Sequence, residues 1–237
     1  MAITGAAPYL GGPSTWLPLR QAVPELTFVE VDVLEFANAP DVAEACRRAI
    51  LSAAHDAACV IAHHTAAKPA IEAVAQMPRI VPVLLISPVL VQRRTPLLGV
   101  VRSILGTRLW ARALASAARS KRTRLLHDRE YLKRQMSLLV DESCISDAML
   151  QEAVERTADP RTARSVERTA EILLEITHPI DSNLDARVSR RAVLLGSSRL
   201  DRKTAARMPA TILPGVRGAA MIEAPHAVAQ ALRELLS

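Results

Sequence analysis

Two periodicities alternate along the chain. Short apolar, partly β-branched runs at residues 1–5, 26–33, 58–62, 81–90, 192–196 and 210–215 read as strands buried on both faces. Between them, apolar residues recur at helical spacing. A helix is expected from Ser14, with Trp16 and Leu19 facing inward. Pro40-Asp41 opens another, whose Val42, Ala45, Cys46, Ala49 and Ile50 share one face. Residues 68–76 read as helix, and Pro225 sits at the start of a last helix, where its missing N–H costs nothing. From 92 to 187 the strand signal disappears. Helices are expected at 97–118 (Val101, Ile104, Leu105, Leu109, Ala113), 130–140, 146–157 and 162–177, with breaks at Asp159-Pro160 and His178-Pro179. Strands alternating with helices imply an α/β fold with a mostly parallel sheet flanked by helices. The all-helical stretch implies a cap at 93–186 inserted into a core of 1–92 and 187–237.

Composition narrows the functional classes. Half of the 237 residues are hydrophobic, so disorder is not expected, and only 3% are aromatic, so Ala, Leu, Val and Ile must fill the core. No apolar run is long enough to span a bilayer, and the first residues show no secretory signal. Cys46, Cys59 and Cys144 suit neither a disulfide framework nor a zinc site and fit a reducing cytoplasm. The net charge of +6 is concentrated. Residues 93–134 hold twelve Lys and Arg against Asp128 and Glu130. Such a run is first a solvated helix face; its second reading is a surface for an anionic partner or an acidic membrane, centred on Arg119, Arg122 and Arg124. With few aromatics to stack on bases and no recognised motif, nucleic-acid binding is not expected.

The chemistry centres on Ala58-Cys59-Val60-Ile61-Ala62-His63-His64-Thr65-Ala66-Ala67, where an apolar strand stops at two histidines and a helix follows. Strand, sharp turn and helix lift one side chain above the sheet edge, as in the nucleophile elbow Gly-x-Ser-x-Gly. The segment resembles that of the α/β-hydrolases, with His64 at the nucleophile position. The ending Met221-Ile222-Glu223-Ala224-Pro225 resembles the C-terminus of the same superfamily. Thr4-Gly5 stands where those proteins carry His-Gly, and the loop holding Tyr9 and Gly11-Gly12 matches their oxyanion loop. Asp32 matches the aspartate of their Asp-x-x-Gly turn. Relative to the superfamily, the sheet is expected to lack two early strands and so to have an open edge.

The resemblance also implies where a Ser-His-Asp triad would stand. The base falls at Gly218 and the acid at Arg199, with Asp201 displaced; an alternative acid position lies near Ser87. All three roles are vacant in the sequence. His64 is therefore the one catalytic candidate, as acid/base or nucleophile, and its plainer role is to fill the elbow and pocket floor. His63 is expected to be structural, at the junction of sheet and helix. The candidate ligand-binding set is Thr4, Gly5, Tyr9, His63, His64, Thr65 and Gly218. Adjacent histidines point apart and no carboxylate lies at ligand spacing, so neither a metal nor a cofactor is expected. The leading expectation is a protein that binds a mostly apolar small molecule between elbow and cap without serine-hydrolase activity, in an accessory, carrier or sensing role. Two other readings stand beside it: an atypical cyclase, lyase, isomerase or hydrolase using His64, and a non-catalytic interaction subunit forming homo- or hetero-oligomers.

Overall fold

The structure, a computed structural model, describes residues 1–4, 10–36, 38–88, 128–158, 188, 190–197, 201, 205 and 209–237. Six parallel strands form one sheet: β1 (Ala2–Thr4), β2 (Glu30–Asp32), β3 (Val60–His63), β4 (Val83–Ile86), β5 (Arg191–Leu195) and β6 (Thr211–Ile212). Their spatial order is β2-β1-β3-β4-β5-β6. The described helices are α1 (Pro13–Ala22), α2 (Val42–Ala53), α3 (Ala67–Val74), α4 (Arg129–Met136), α5 (Asp147–Ala158), α6 (Ala220–Glu223) and α7 (Pro225–Leu236). None is long and apolar enough to cross a membrane.

Side chains alternate across the sheet with period two. Ile61, Leu84 and Ile86 point to one face, where Trp16 and Leu19 of α1, the apolar residues of α6 and Val228 and Leu232 of α7 meet them. Val60, Ala62, Val83 and Leu85 point to the other, against Cys46 and Ile50 of α2 and Ile71 of α3. Both faces of the central strands are thus covered, which is why their sequence reads as continuous apolar runs. Two described helices fall within the stretch 93–186. Leu132 and Met136 of α4 and Met149, Leu150 and Ala153 of α5 belong to the same apolar cluster as α1, α6 and α7.

Polar ties join these two helices to the rest of the described chain at two places. At one, Arg156 of α5 pairs with Asp32 at the carboxyl end of β2. One turn earlier, the Glu152 carboxylate accepts hydrogen bonds from the Ser14 backbone N–H at 3.1 Å and its hydroxyl at 2.6 Å. At the other, Glu223 gathers backbone N–H groups: Asp141 at 2.8 Å from the cap side, and Arg217, Gly218 and Ala219 at 2.9, 3.3 and 3.3 Å from its own loop. Arg217 closes the contact by pairing with Asp141 at 3.1 Å and donating to the Ser137 carbonyl at 2.7 Å.

The structure differs from the sequence expectations at several boundaries. The strand expected at 26–33 is only Glu30–Asp32, because its partner β1 offers three residues for pairing. Asp32 then accepts from the Leu34 N–H at 3.0 Å and turns the chain into a 3₁₀ helix, Val33–Phe36. Of the run at 81–90, described as far as Pro88, the strand covers Val83–Ile86: Pro82 has no N–H to donate and Ser87 leaves extended geometry. The last strand shortens to Thr211–Ile212 at the sheet edge. Ser14 does not cap α1, whose N-cap is Gly12, because Glu152 holds both its N–H and its hydroxyl. The helices expected at 97–118 and 162–177 lie outside the described residues.

Candidate functional site at the carboxyl edge of the sheet

Strand β3 ends at His63, and His64 opens a 3₁₀ turn, His64–Ala66, that runs directly into α3. His64 takes φ +55°, in the left-handed region that a non-glycine residue enters at a cost. Next to it, Ser87 leaves β4 at φ +43°, and among the described residues these are the two non-glycine positions with positive φ. The β3–β4 ladder pairs His63 with Ile86, so the following residues, His64 and Ser87, sit side by side at the strand ends. Backbone strain is therefore concentrated at one point, the carboxyl edge where parallel α/β sheets bind ligands.

By the alternation of β3, His63 belongs to the face covered by α1, α4, α5 and α7. Its ring is completely buried and its Nε2 lies 3.2 Å from the Gly218 carbonyl oxygen. A contact with a carbonyl puts the proton on Nε2, leaving Nδ1 as an acceptor, and that buried Nδ1 has no partner. Burial, helped by the neighbouring His64, pushes the His63 pKa down to about 3. Burial lowers His64 to about 4. Both rings, 5.8 Å apart and tilted by 42°, are neutral near pH 7. Among the described residues no carboxylate hydrogen-bonds to His64.

Gly218 stands between these groups. A carbon added to its Cα would meet Leu139 Cδ2 at 3.6 Å and the Ser87 hydroxyl at 3.9 Å, both ordinary contacts. The Ser87 hydroxyl is itself buried and without a partner. His63, His64, Ser87 and Gly218 thus converge. Thr65 is also buried beside the elbow and is engaged by interactions of its own. Of the other candidates, Thr4 is placed only by its backbone, paired in register with Asp32. Gly5, Tyr9, Arg119, Arg122, Arg124 and Arg199 lie outside the described residues, and Asp201 is buried. Sequence reasoning named Ser87 only as an empty acid position and missed its strained backbone. The one available signal was Ser87-Pro88 at the end of an apolar run. It likewise missed Glu223 as the clamp of the Gly218 loop, having read it only as part of the C-terminal motif.

Among the described residues no three His, Cys, Asp or Glu side chains converge as a metal site. A cleft of about 440 Å³ opens at the opposite, amino end of the strands, lined by Leu26, Phe28, Cys59, Ile61, Leu232 and Leu236 among others. The Cys59 thiol there is buried and pushed up to about 11, so it is no nucleophile at neutral pH.

No known family profile and no curated protein matches the sequence. Solved structures do. A serine hydrolase involved in carbazole degradation is 15% identical with a TM-score of 0.68, over 99% of this chain and 90% of that one. A bacterial membrane phospholipase A is 16% identical with a TM-score of 0.63, over 99% and 77%. A carboxylesterase from the ammonia-oxidizing thaumarchaeon Nitrososphaera gargenis is 16% identical with a TM-score of 0.59, over 99% and 89%. At such identities the likeness concerns architecture. The chain has the α/β-hydrolase fold.

Proposed function

We propose that this protein binds a mostly apolar small molecule between its elbow and cap, without serine-hydrolase chemistry, in an accessory, carrier or sensing role. The observation that carries the reading is the elbow itself. Its strained position is kept, but it presents His64, a neutral imidazole with no orienting carboxylate among the described residues. A nucleophilic serine and a base within hydrogen-bond reach are both required for acyl transfer. Gly218, at the expected place of the base, offers no side chain, and the Ser87 hydroxyl beside it has no base in contact. Proton transfer by His64 is disfavoured as well. A pKa of about 4 lies far from the neutral range in which general acid–base catalysis is most effective.

The expected result with a fluorophosphonate probe is no stoichiometric labelling, read by intact-protein mass spectrometry. One equivalent bound at any serine would overturn the proposal.

A further inference from the structure

We infer that the two unmet buried atoms next to Gly218, the Ser87 hydroxyl and His63 Nδ1, are met by one neutral hydroxyl group, so that the bound molecule is an apolar alcohol or phenol rather than a carboxylate. The inference rests on the ligand-binding reading above and specifies its chemistry. Two buried polar atoms without partners are a cost that a folded chain rarely leaves standing, and each calls for a hydrogen-bond partner from outside the chain. Their chemistry is complementary. His63 spends its N–H on the Gly218 carbonyl, so its free nitrogen only accepts. Ser87 both donates and accepts.

A group that donates to His63 and also exchanges a hydrogen bond with Ser87 is a hydroxyl. A carboxylate has no proton to give His63, and no cation among the described residues pairs with these atoms. An ether can accept from Ser87 but leaves His63 unmet. Gly218 is buried beside these groups, and an added carbon there would make ordinary contacts with Leu139 at 3.6 Å and with the Ser87 hydroxyl at 3.9 Å. Left-handed backbone at both His64 and Ser87 is the kind of strain that persists at ligand sites.

The test is calorimetric titration with 1-octanol, its isostere 1-methoxyheptane, and octanoate. The alcohol is expected to bind about tenfold tighter than either, the gain of one to two hydrogen bonds to otherwise unmet groups. Ser87→Gly relieves the left-handed backbone while removing the hydroxyl, so it should fold and lose most of that preference. Gly218→Ala places a methyl group beside the Ser87 hydroxyl and should weaken the alcohol selectively. Alcohol and ether binding alike would mean that water meets these atoms; this inference would fall while the apolar-ligand reading stood. Octanoate binding tightest would overturn it too. Saturable binding of none of the three would sink both.

Discussion

Arg156→Ala is expected to lower the unfolding free energy by about 3 kcal/mol, because it strands a buried carboxylate. Asp32 and Arg156 have side chains only 13% and 20% exposed. Burial raises the Asp32 pKa, and the Arg156 charge offsets only part of that. The sign follows. An acid whose folded pKa is raised holds its proton more readily when folded, so its ionised form is a growing penalty as pH rises through the unfolded value toward the folded one. Without Arg156 the penalty increases. The loss should therefore be large at neutral pH and shrink in acid, where Asp32 becomes protonated. Asp32→Asn keeps an oxygen to accept from the Leu34 N–H. In that background Arg156→Ala should cost less than about 1 kcal/mol, since no charge is left unpaired. Urea unfolding of the four proteins measures this directly. An equal cost with and without the Asp32 charge would show that Arg156 acts through packing alone.

Acidification is expected to have an effect of similar size. His63 is a base whose folded pKa, about 3, lies well below the ordinary unfolded value near 6.5. Below that ordinary value the unfolded chain takes up a proton that the folded site refuses, so stability falls as pH drops from about 6.5 toward 3. At pH 5 His63 alone should account for about 2 kcal/mol, with His64 adding a contribution of the same sign. His63→Gln keeps a donor for the Gly218 carbonyl and removes the titration. Its stability should therefore fall less steeply between pH 7 and pH 5. Identical slopes for the two proteins would show that His63 is not the group responsible.

The parts of the fold that depend on local pattern were readable in advance. The uninterrupted apolar character of Val60–His63 and Val83–Ile86 follows from burial on both faces, and the helical spacing of Val42, Cys46 and Ile50 from packing against one of them. Strand ends were less readable, because pairing length is set by the neighbour: Leu26 and Phe28 look like strand residues, but the ladder with β1 covers Glu30–Asp32. At the site, the elbow was legible from the abrupt change at His63-His64, where the structure places His64 in the left-handed region. Ser87 was not, since nothing in a serine after an apolar run announces a left-handed backbone or an unmatched hydroxyl. The ties of Glu223 to Asp141 and of Arg156 to Asp32 span 82 and 124 residues, and no local pattern encodes such separations.

Those ties accompany extensive apolar packing. Movement of α4 and α5 away from the core would expose Leu132, Met136 and Leu150, which are buried together with the core helices. Glu152, Arg156 and Glu223 add polar ties between these two helices and the rest of the described chain.

Binding without turnover is most directly tested with 4-nitrophenyl octanoate and the protein in molar excess, following nitrophenolate release in a single turnover. The proposal predicts release at the spontaneous rate, superimposable for wild type and His64→Ala, while gel filtration of the wild-type mixture carries intact ester with the protein. A protein-dependent burst of nitrophenolate that disappears in His64→Ala would contradict it and make His64 a catalytic residue.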